Sequence, residues 1–300
     1  MENRWWIYQN ERFPIFRHGF LMAAVCFGAL IYSLRARSNF EFPDVYTLLI
    51  AFVSIFIFFL QLRIADEFKD YDDDLAYRPY RPVQRGLVLL SELRRIALAA
   101  AAIQFVWVLW LSPRLLLPLL LVWAYMLLMT KEFFVHDWLR RRPVIYLLSH
   151  TLIMPIIYFY ITACDWRAAD ADMPSDLIWL LGIAFFNGIV IEIGRKIRSP
   201  QDEEQGVETY SALWGPARAT LVWIGALLVT MFFALMAASK IDFAAPMAWL
   251  LAVSILAALM AAARFLHKPV PGSGKVIELI SGIWTLLLHL GIGSAFFSTL

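Results

Sequence analysis

The chain is dominated by apolar segments too long for the interior of a water-soluble domain, with short charged stretches between them. A helix needs about 20 mostly apolar residues to cross the hydrocarbon of a bilayer. Nine segments qualify as spans: 20–34, 46–65, 96–111, 115–130, 144–164, 177–193, 220–238, 244–263 and 276–300. The third and fourth meet at Ser112-Pro113, where Arg114 marks an aqueous edge. Hydrophobic residues make up 61% of the 300 positions, against about 45–50% in soluble domains. Little chain is left for anything outside a membrane. The composition excludes a disordered chain, a coiled coil and an ordinary water-soluble enzyme. The expected fold is all-α and polytopic, a single domain over residues 1–300. No short repeat, low-complexity tract or linker divides it.

Lys and Arg alternate in density from loop to loop. The N-terminal segment (Arg4, Arg12, Arg17) and the loops after spans two, four, six and eight hold 21 of the 26 basic residues. The opposite loops hold Arg35, Arg37, Arg114, Arg167 and Lys240. By the positive-inside rule the N-terminus is cytoplasmic, in the cell (inner) membrane, and the C-terminus lies on the far side. The segment before the first span is polar, aromatic and charged, so no cleavable signal peptide is expected. A net charge of +2 gives no general attraction for nucleic acid. Cys26 and Cys164 lie in or beside apolar runs and make neither a zinc pattern nor a disulfide framework.

Ionisable groups crowd two cytoplasmic loops, 66–95 and 192–218. Asp66, Asp70 and Asp74 recur at intervals of four with Glu67 beside them, which on a helix places the three aspartates on one face. Like charges at this spacing repel, and a divalent cation relieves the repulsion. Oxygen-only ligands suit Mg²⁺, which typically takes one or two carboxylates plus substrate phosphates. The alternative is a solvated helix end that marks the membrane surface. Arg78, Arg81 and Arg85 follow in a proline-interrupted loop, where planar guanidinium can fork onto phosphate oxygens. The positive-inside rule alone also accounts for them.

The loop after span six carries Glu192, Arg195, Lys196, Arg198, Asp202, Glu203 and Glu204. Mixed charge at this density suits a site for a metal and an anion. A salt-bridged surface loop, with Glu192 and Lys196 paired at i,i+4, is the alternative. Within the spans, His150 is a functional candidate because intramembrane ionisable groups are costly. Asn187 reads as interhelical glue, and His289 shows no acidic partner.

The first cluster and its arginine loop resemble the first signature of the UbiA-type intramembrane prenyltransferases, an Asn-Asp-x-x-Asp-x-x-x-Asp run followed by Arg-Pro and Gly. The matching positions are Asp66, Glu67, Asp70 and Asp74, then Arg81-Pro82 and Gly86, with Asp66 in place of Asn and Glu67 in place of Asp. The tail of the family's second signature is matched by Gly206, Thr209 and Gly215, with Asp202 and Glu203 before it. Arg198 stands near an expected leading Asp, for which Glu192 substitutes. Lys131, after Tyr125, resembles a Tyr…Lys element that follows the family's fourth span.

The resemblance implies Mg²⁺-dependent transfer of an isoprenyl group from an isoprenyl diphosphate to an aromatic or other lipophilic acceptor in the bilayer. It implies Asp66, Glu67, Asp70, Asp74, Glu192, Asp202 and Glu203 as metal ligands, with Asp66, Asp70, Asp74 and Asp202 central to catalysis. Arg63, Arg81, Lys131, Arg195, Lys196 and Arg198 are implied as diphosphate contacts. Phosphoribosyl transfer to polyprenyl phosphate, known in the same group, is an alternative. A CDP-alcohol phosphatidyltransferase is disfavoured because its Asp-Gly and Ala-Arg run is missing. A transporter would place its charges at mid-membrane rather than at span ends.

Overall fold

Hydrocarbon offers no partner for a free backbone N–H or C=O, so each apolar run must satisfy its own main chain as a helix. The computed structural model describes residues 3–299, and among these no strand occurs. The helices are α1 (Arg4–Arg12), α2 (Ile15–Ala36), α3 (Val45–Lys69), α4 (Tyr71–Tyr77), α5 (Leu90–Leu111), α6 (Leu116–Thr130) and α7 (His136–Arg140). They continue as α8 (Pro143–Thr151), α9 (Ile153–Trp166), α10 (Leu177–Gly194), α11 (Tyr210–Trp214), α12 (Pro216–Ser239), α13 (Ala244–His267) and α14 (Ser273–Ser294). Nine spans of sufficient length and hydropathy are present among the described residues, in the expected order.

Their ends differ from the sequence expectation for local reasons. The first begins at Ile15, because Pro14 stands at its N-cap. The second starts where Asp44 caps the Tyr46 and Thr47 amides, each at 3.0 Å. It then runs on to Lys69. The fifth is two helices, α8 and α9; Pro155 lacks the N–H that would bond the Thr151 carbonyl. Leu300, the last residue of the expected ninth span, lies outside the described residues.

The first span is the most enclosed, with 67% of its apolar window buried, against 22% for α5 and α13. Helix α2 packs on α3, α9 and α14, and α10 packs on α9, α12 and α14. Lipid tails compete with apolar side chains, so close backbone approach and polar cross-links hold such a bundle together. At Gly28 a Cβ would overlap the main chain of His289, and its absence lets α2 lie against α14. The His289 ring donates from Nδ1 to the Thr285 carbonyl at 2.7 Å and accepts at Nε2 from the Tyr158 hydroxyl at 2.6 Å. Asn187 bonds Thr285 at 3.1 Å. Both residues are interhelical links, and Tyr158 is the partner of His289 that spacing could not show. At the opposite end Arg37 donates twice to Asp165, at 2.6 and 3.2 Å.

Helix α1 docks on a small separate core of Tyr8, Ile64, Val83, Val88 and Leu93. Three ion pairs fasten it: Arg12–Glu67 at 2.5 Å, Arg85–Glu11 at 2.8 Å and Arg4–Glu92 at 2.7 Å.

Candidate active site

The last turn of α3 supplies the first carboxylates. Main-chain bonds continue across its end, from Asp70 N to Asp66 O at 2.9 Å and from Asp74 N to Asp70 O at 2.8 Å, so α4 follows α3 with a slight break. The three aspartates nevertheless differ. The Asp66 and Asp70 side chains are 41% and 44% exposed, whereas Asp74 is 2% exposed. Asp74 is closed by two guanidiniums, Arg78 at 3.0 Å and Arg81. Asp66 meets Arg63 at 2.5 Å. Asp70 meets Lys69 at 4.0 Å, beyond hydrogen-bond reach. Burial raises the Asp70 carboxyl above its usual range; Asp66 and Asp74 push the same way, against Lys69 and Arg63. Glu67 is wholly buried and holds Arg12 instead.

The second loop begins where α10 ends. Glu192 is shared by Arg195 at 2.5 Å and Lys196 at 2.9 Å. Glu192 first, and Asp66 after it, raise the Arg195 pKa above the ordinary arginine value. Asp66 and Arg195 are therefore electrostatic neighbours across the bundle. The two loops also touch directly: the Tyr77 ring fills the place of a Cβ on Gly206, a glycine at φ +76°. Glycine there serves both the left-handed turn and the close approach.

The acids further along this loop are committed to protein donors. Asp202 accepts from Ser199 Oγ and from the Gly272 amide, both at 2.7 Å, and these bonds hold its carboxyl below the usual range. Glu203 accepts from Thr209 at 2.6 Å and Ser211 at 2.7 Å. Thr209 Oγ1 in turn caps α11 through the Ala212 amide. The Arg198 amide bonds Ser211 at 2.8 Å. Expected as ligands, Asp202 and Glu203 here stitch the loop together and tie it to the turn before α14. Among the described residues no group of three or more acidic, His or Cys side chains converges on a metal position.

Four further residues enter the site without a sequence signal. Lys69 Nζ donates to Tyr146 Oη on α8 at 2.6 Å and stands 3.9 Å from Glu132. Glu132, Phe133 and Phe134 form a left-handed turn with φ of 44°, 53° and 61°. Non-glycine residues hold such angles at a cost of about 1–3 kcal/mol each. The turn buries Glu132, which also pairs with His136. It sets Phe133 against Tyr125 and His150, with ring centroids 5.6 and 5.9 Å apart. Tyr210 on α11 packs beneath Lys196, 5.7 Å from its ammonium. Burial first, then Glu192, raises its phenol, and Tyr146 is also near enough to contribute. Lys131 is exposed, with no acidic partner within 4.0 Å among the described residues; the lysine that reaches the cluster is Lys69. A conventional motif search passes over Lys69 because it occupies a variable position between Asp66 and Asp70.

The ends of α3, α6 and α10 thus bring Asp66, Asp70, Glu132 and Glu192 together with Arg63, Lys69, Arg195 and Lys196. The sequence profile of the UbiA prenyltransferase family matches residues 21–281. No curated protein matches the chain. Among solved structures it is similar to the apo form of a UbiA homologue from Aeropyrum pernix K1, at 15% identity and TM-score 0.70, covering 94% of this chain and 98% of that one. It is similar to a digeranylgeranylglyceryl phosphate synthase at 15% identity and TM-score 0.62, covering 93% and 98%. A UbiA homologue from Archaeoglobus fulgidus bound to DMAPP and Mg²⁺ matches at 14% identity and TM-score 0.54, covering 95% and 99%. At these identities the structures speak for the fold, and the profile, which spans most of the sequence, speaks for kinship: the chain belongs to the UbiA prenyltransferase family.

Proposed function

We propose that the protein transfers an isoprenyl group from an isoprenyl diphosphate to a lipophilic acceptor within the membrane and releases diphosphate. The supporting observation is that the loop following Asp66 and Asp70 and the loop carrying Arg195 and Lys196, from distant parts of the chain, touch at one end of the bundle, Tyr77 against Gly206, with Asp66 near enough to act on Arg195. Basic-residue asymmetry assigns that end to the cytoplasm. The Archaeoglobus homologue bound to DMAPP and Mg²⁺ agrees with the donor class.

Mg²⁺ fits the first cluster. Asp66 and Asp70 are half-exposed, one turn apart and mutually repelling, and Asp70 takes no hydrogen bond from a described residue. Two carboxylates completed by phosphate oxygens and water are the usual protein share of a Mg²⁺ shell. The fit does not extend to Asp74 and Glu203, whose oxygens already serve protein donors, or to Glu67, which is wholly buried against Arg12; Asp202 is tied through Oδ2 to Ser199 and the Gly272 amide. Bound there, the ion would offset negative charge on the leaving diphosphate.

The chain's own residues have separable roles. Arg195 and Lys196 share Glu192 and keep further N–H donors for phosphate oxygens. Arg63 orients Asp66. Lys69 places an ammonium between Asp70, Glu132 and Tyr146, where it meets charge developing on the leaving group. Arg81 acts through Asp74, fixing the loop after α4. The test is purified full-length protein in nanodiscs with labelled geranylgeranyl diphosphate and a membrane lipid extract. Mg²⁺-dependent diphosphate release with a labelled lipid product supports the proposal. No release at saturating Mg²⁺, across donors of several chain lengths, defeats it.

A further inference from the structure

The two histidines of the fifth and ninth spans are treated differently by the fold. His289 is satisfied at both ring nitrogens, by Thr285 and Tyr158. His150 is satisfied at one. Its Nδ1 lies 2.9 Å from the Tyr146 carbonyl oxygen and 3.3 Å from Ser149 Oγ. A carbonyl only accepts, so Nδ1 carries the proton, and in the neutral ring Nε2 is left with its lone pair. That Nε2 is buried and meets no described donor. The ring itself is held firmly: Tyr146 stacks on it with centroids 3.9 Å apart and planes 13° apart, and Phe133 meets it edge-on. Lys69, Glu132 and Asp66 are the charged groups that face it. His150 therefore presents a fixed, unmet acceptor beside the carboxylates and cations of the site. An acceptor buried in this way is unfavourable until a donor arrives.

We propose that His150 Nε2 receives the hydrogen bond of the acceptor substrate's nucleophilic hydroxyl and takes its proton during transfer, so that the acceptor is a lipophilic alcohol or phenol reacting through oxygen. This rests on the prenyl-transfer reading and names the acceptor class. The acceptor oxygen forms a bond to C1 of the isoprenyl chain. The C1–O bond to diphosphate breaks and its electron pair stays with the diphosphate. The hydroxyl proton passes to Nε2, giving an imidazolium faced by the Asp66 and Glu132 carboxylates against the Lys69 ammonium. That proton then leaves to the departing diphosphate or to water, and the ring returns to its neutral form.

The probes are para-hexylphenol and its methyl ether, which share shape and differ in the donor. Affinity is read from ligand-induced thermal stabilisation of the full-length protein in detergent. Wild type is expected to favour the phenol by about 10-fold, the worth of one matched hydrogen bond. His150→Phe, which keeps a stacking ring, is expected to bind both alike. His150→Gln, which offers a carbonyl acceptor, is expected to regain part of the preference. With labelled geranylgeranyl diphosphate and para-hexylphenol, His150→Phe should lose O-prenylation by about 100-fold or more while Mg²⁺-dependent hydrolysis to the prenyl alcohol continues. Wild type binding neither probe, or both equally, would overturn the assignment; so would an undiminished phenol preference in a folded His150→Phe. If wild type prefers the phenol but never releases diphosphate, the transferase reading fails and the His150 contact stands.

Discussion

Lys69 Nζ donates to Tyr146 Oη at 2.6 Å, and the ammonium lies 5.3 Å from the centroid of that ring. The bond ties the last turn of α3, with its carboxylates, to the first turns of α8, where Tyr146 stacks on His150. Neither residue belongs to the acidic signature, yet together they set the distance between the charged cluster and the aromatic wall beside it.

Tyr146→Phe removes that bond and keeps the stack. A single hydrogen bond to a charged group is worth about 1.5–3 kcal/mol, so kcat/KM should fall by about 10-fold or more. Lys69→Met should cost more, because the partly buried Glu132 and Asp70 lose their shared cation. Steady-state kinetics with labelled donor checks both. Equal activity of Lys69→Met and wild type would place the lysine outside the reaction.

Asp70→Asn should abolish Mg²⁺-dependent transfer by about 100-fold or more, the loss expected when one of two anionic ligands of a charge-stabilising ion is neutralised. The burial cost of the charge, and with it the repulsion from Asp66 and Asp74, also disappears, so the apo protein should melt no lower than wild type. The paired readouts are Mg²⁺ titration of diphosphate release and a thermal melt.

Asp202 makes a different prediction because its Oδ2 is held by Ser199 and the Gly272 amide. Asp202→Ala should leave Mg²⁺ affinity unchanged and release the Gly272 amide, which hydrogen exchange reads directly. The pH dependence follows from the sign. A carboxyl whose folded pKa is depressed contributes stability above its unfolded value and loses it as pH falls through the folded value. Gly272 protection should hold from neutral pH down to the ordinary aspartate value of 3.8 and disappear only on the acid side of it. Lost Mg²⁺ affinity with Gly272 still protected would make Asp202 a ligand after all.

The Tyr158–His289 link should behave as a structural bond. Tyr158→Phe removes the hydroxyl that His289 Nε2 accepts from. Interhelical hydrogen bonds in membranes average about 0.6 kcal/mol and reach about 1.7, and unfolding in mixed micelles should show a loss in that range. Activity of the folded fraction should be unchanged. Gly28→Ala should cost more, since its Cβ would meet the His289 main chain rather than a flexible side chain.

How far the sequence could be read differs from element to element. The spans were legible because bilayer thickness sets a length that any apolar run must meet. Asp66 and Asp70 were legible because four-residue spacing on a helix fixes a common face. Asp74 fits the same spacing, yet the proline-bent loop after α4 returns Arg78 and Arg81 onto it. Lys131 fits a motif by position, and α6 ends with that side chain exposed and without an acidic partner within 4.0 Å among the described residues. No local signal marks the left-handed turn at Glu132–Phe134, which contains no glycine.

Residue order alone determined an all-helical bundle of spans and one strongly basic end, because hydrophobic length and charge asymmetry act locally along the chain. Which ionisable groups remain available for a ligand was decided by tertiary packing. Carboxylates near the site compete for donors, and only the folded arrangement of helix ends shows that Asp202 Oδ2 and both Glu203 oxygens are already bonded while Asp70 and the His150 Nε2 are not.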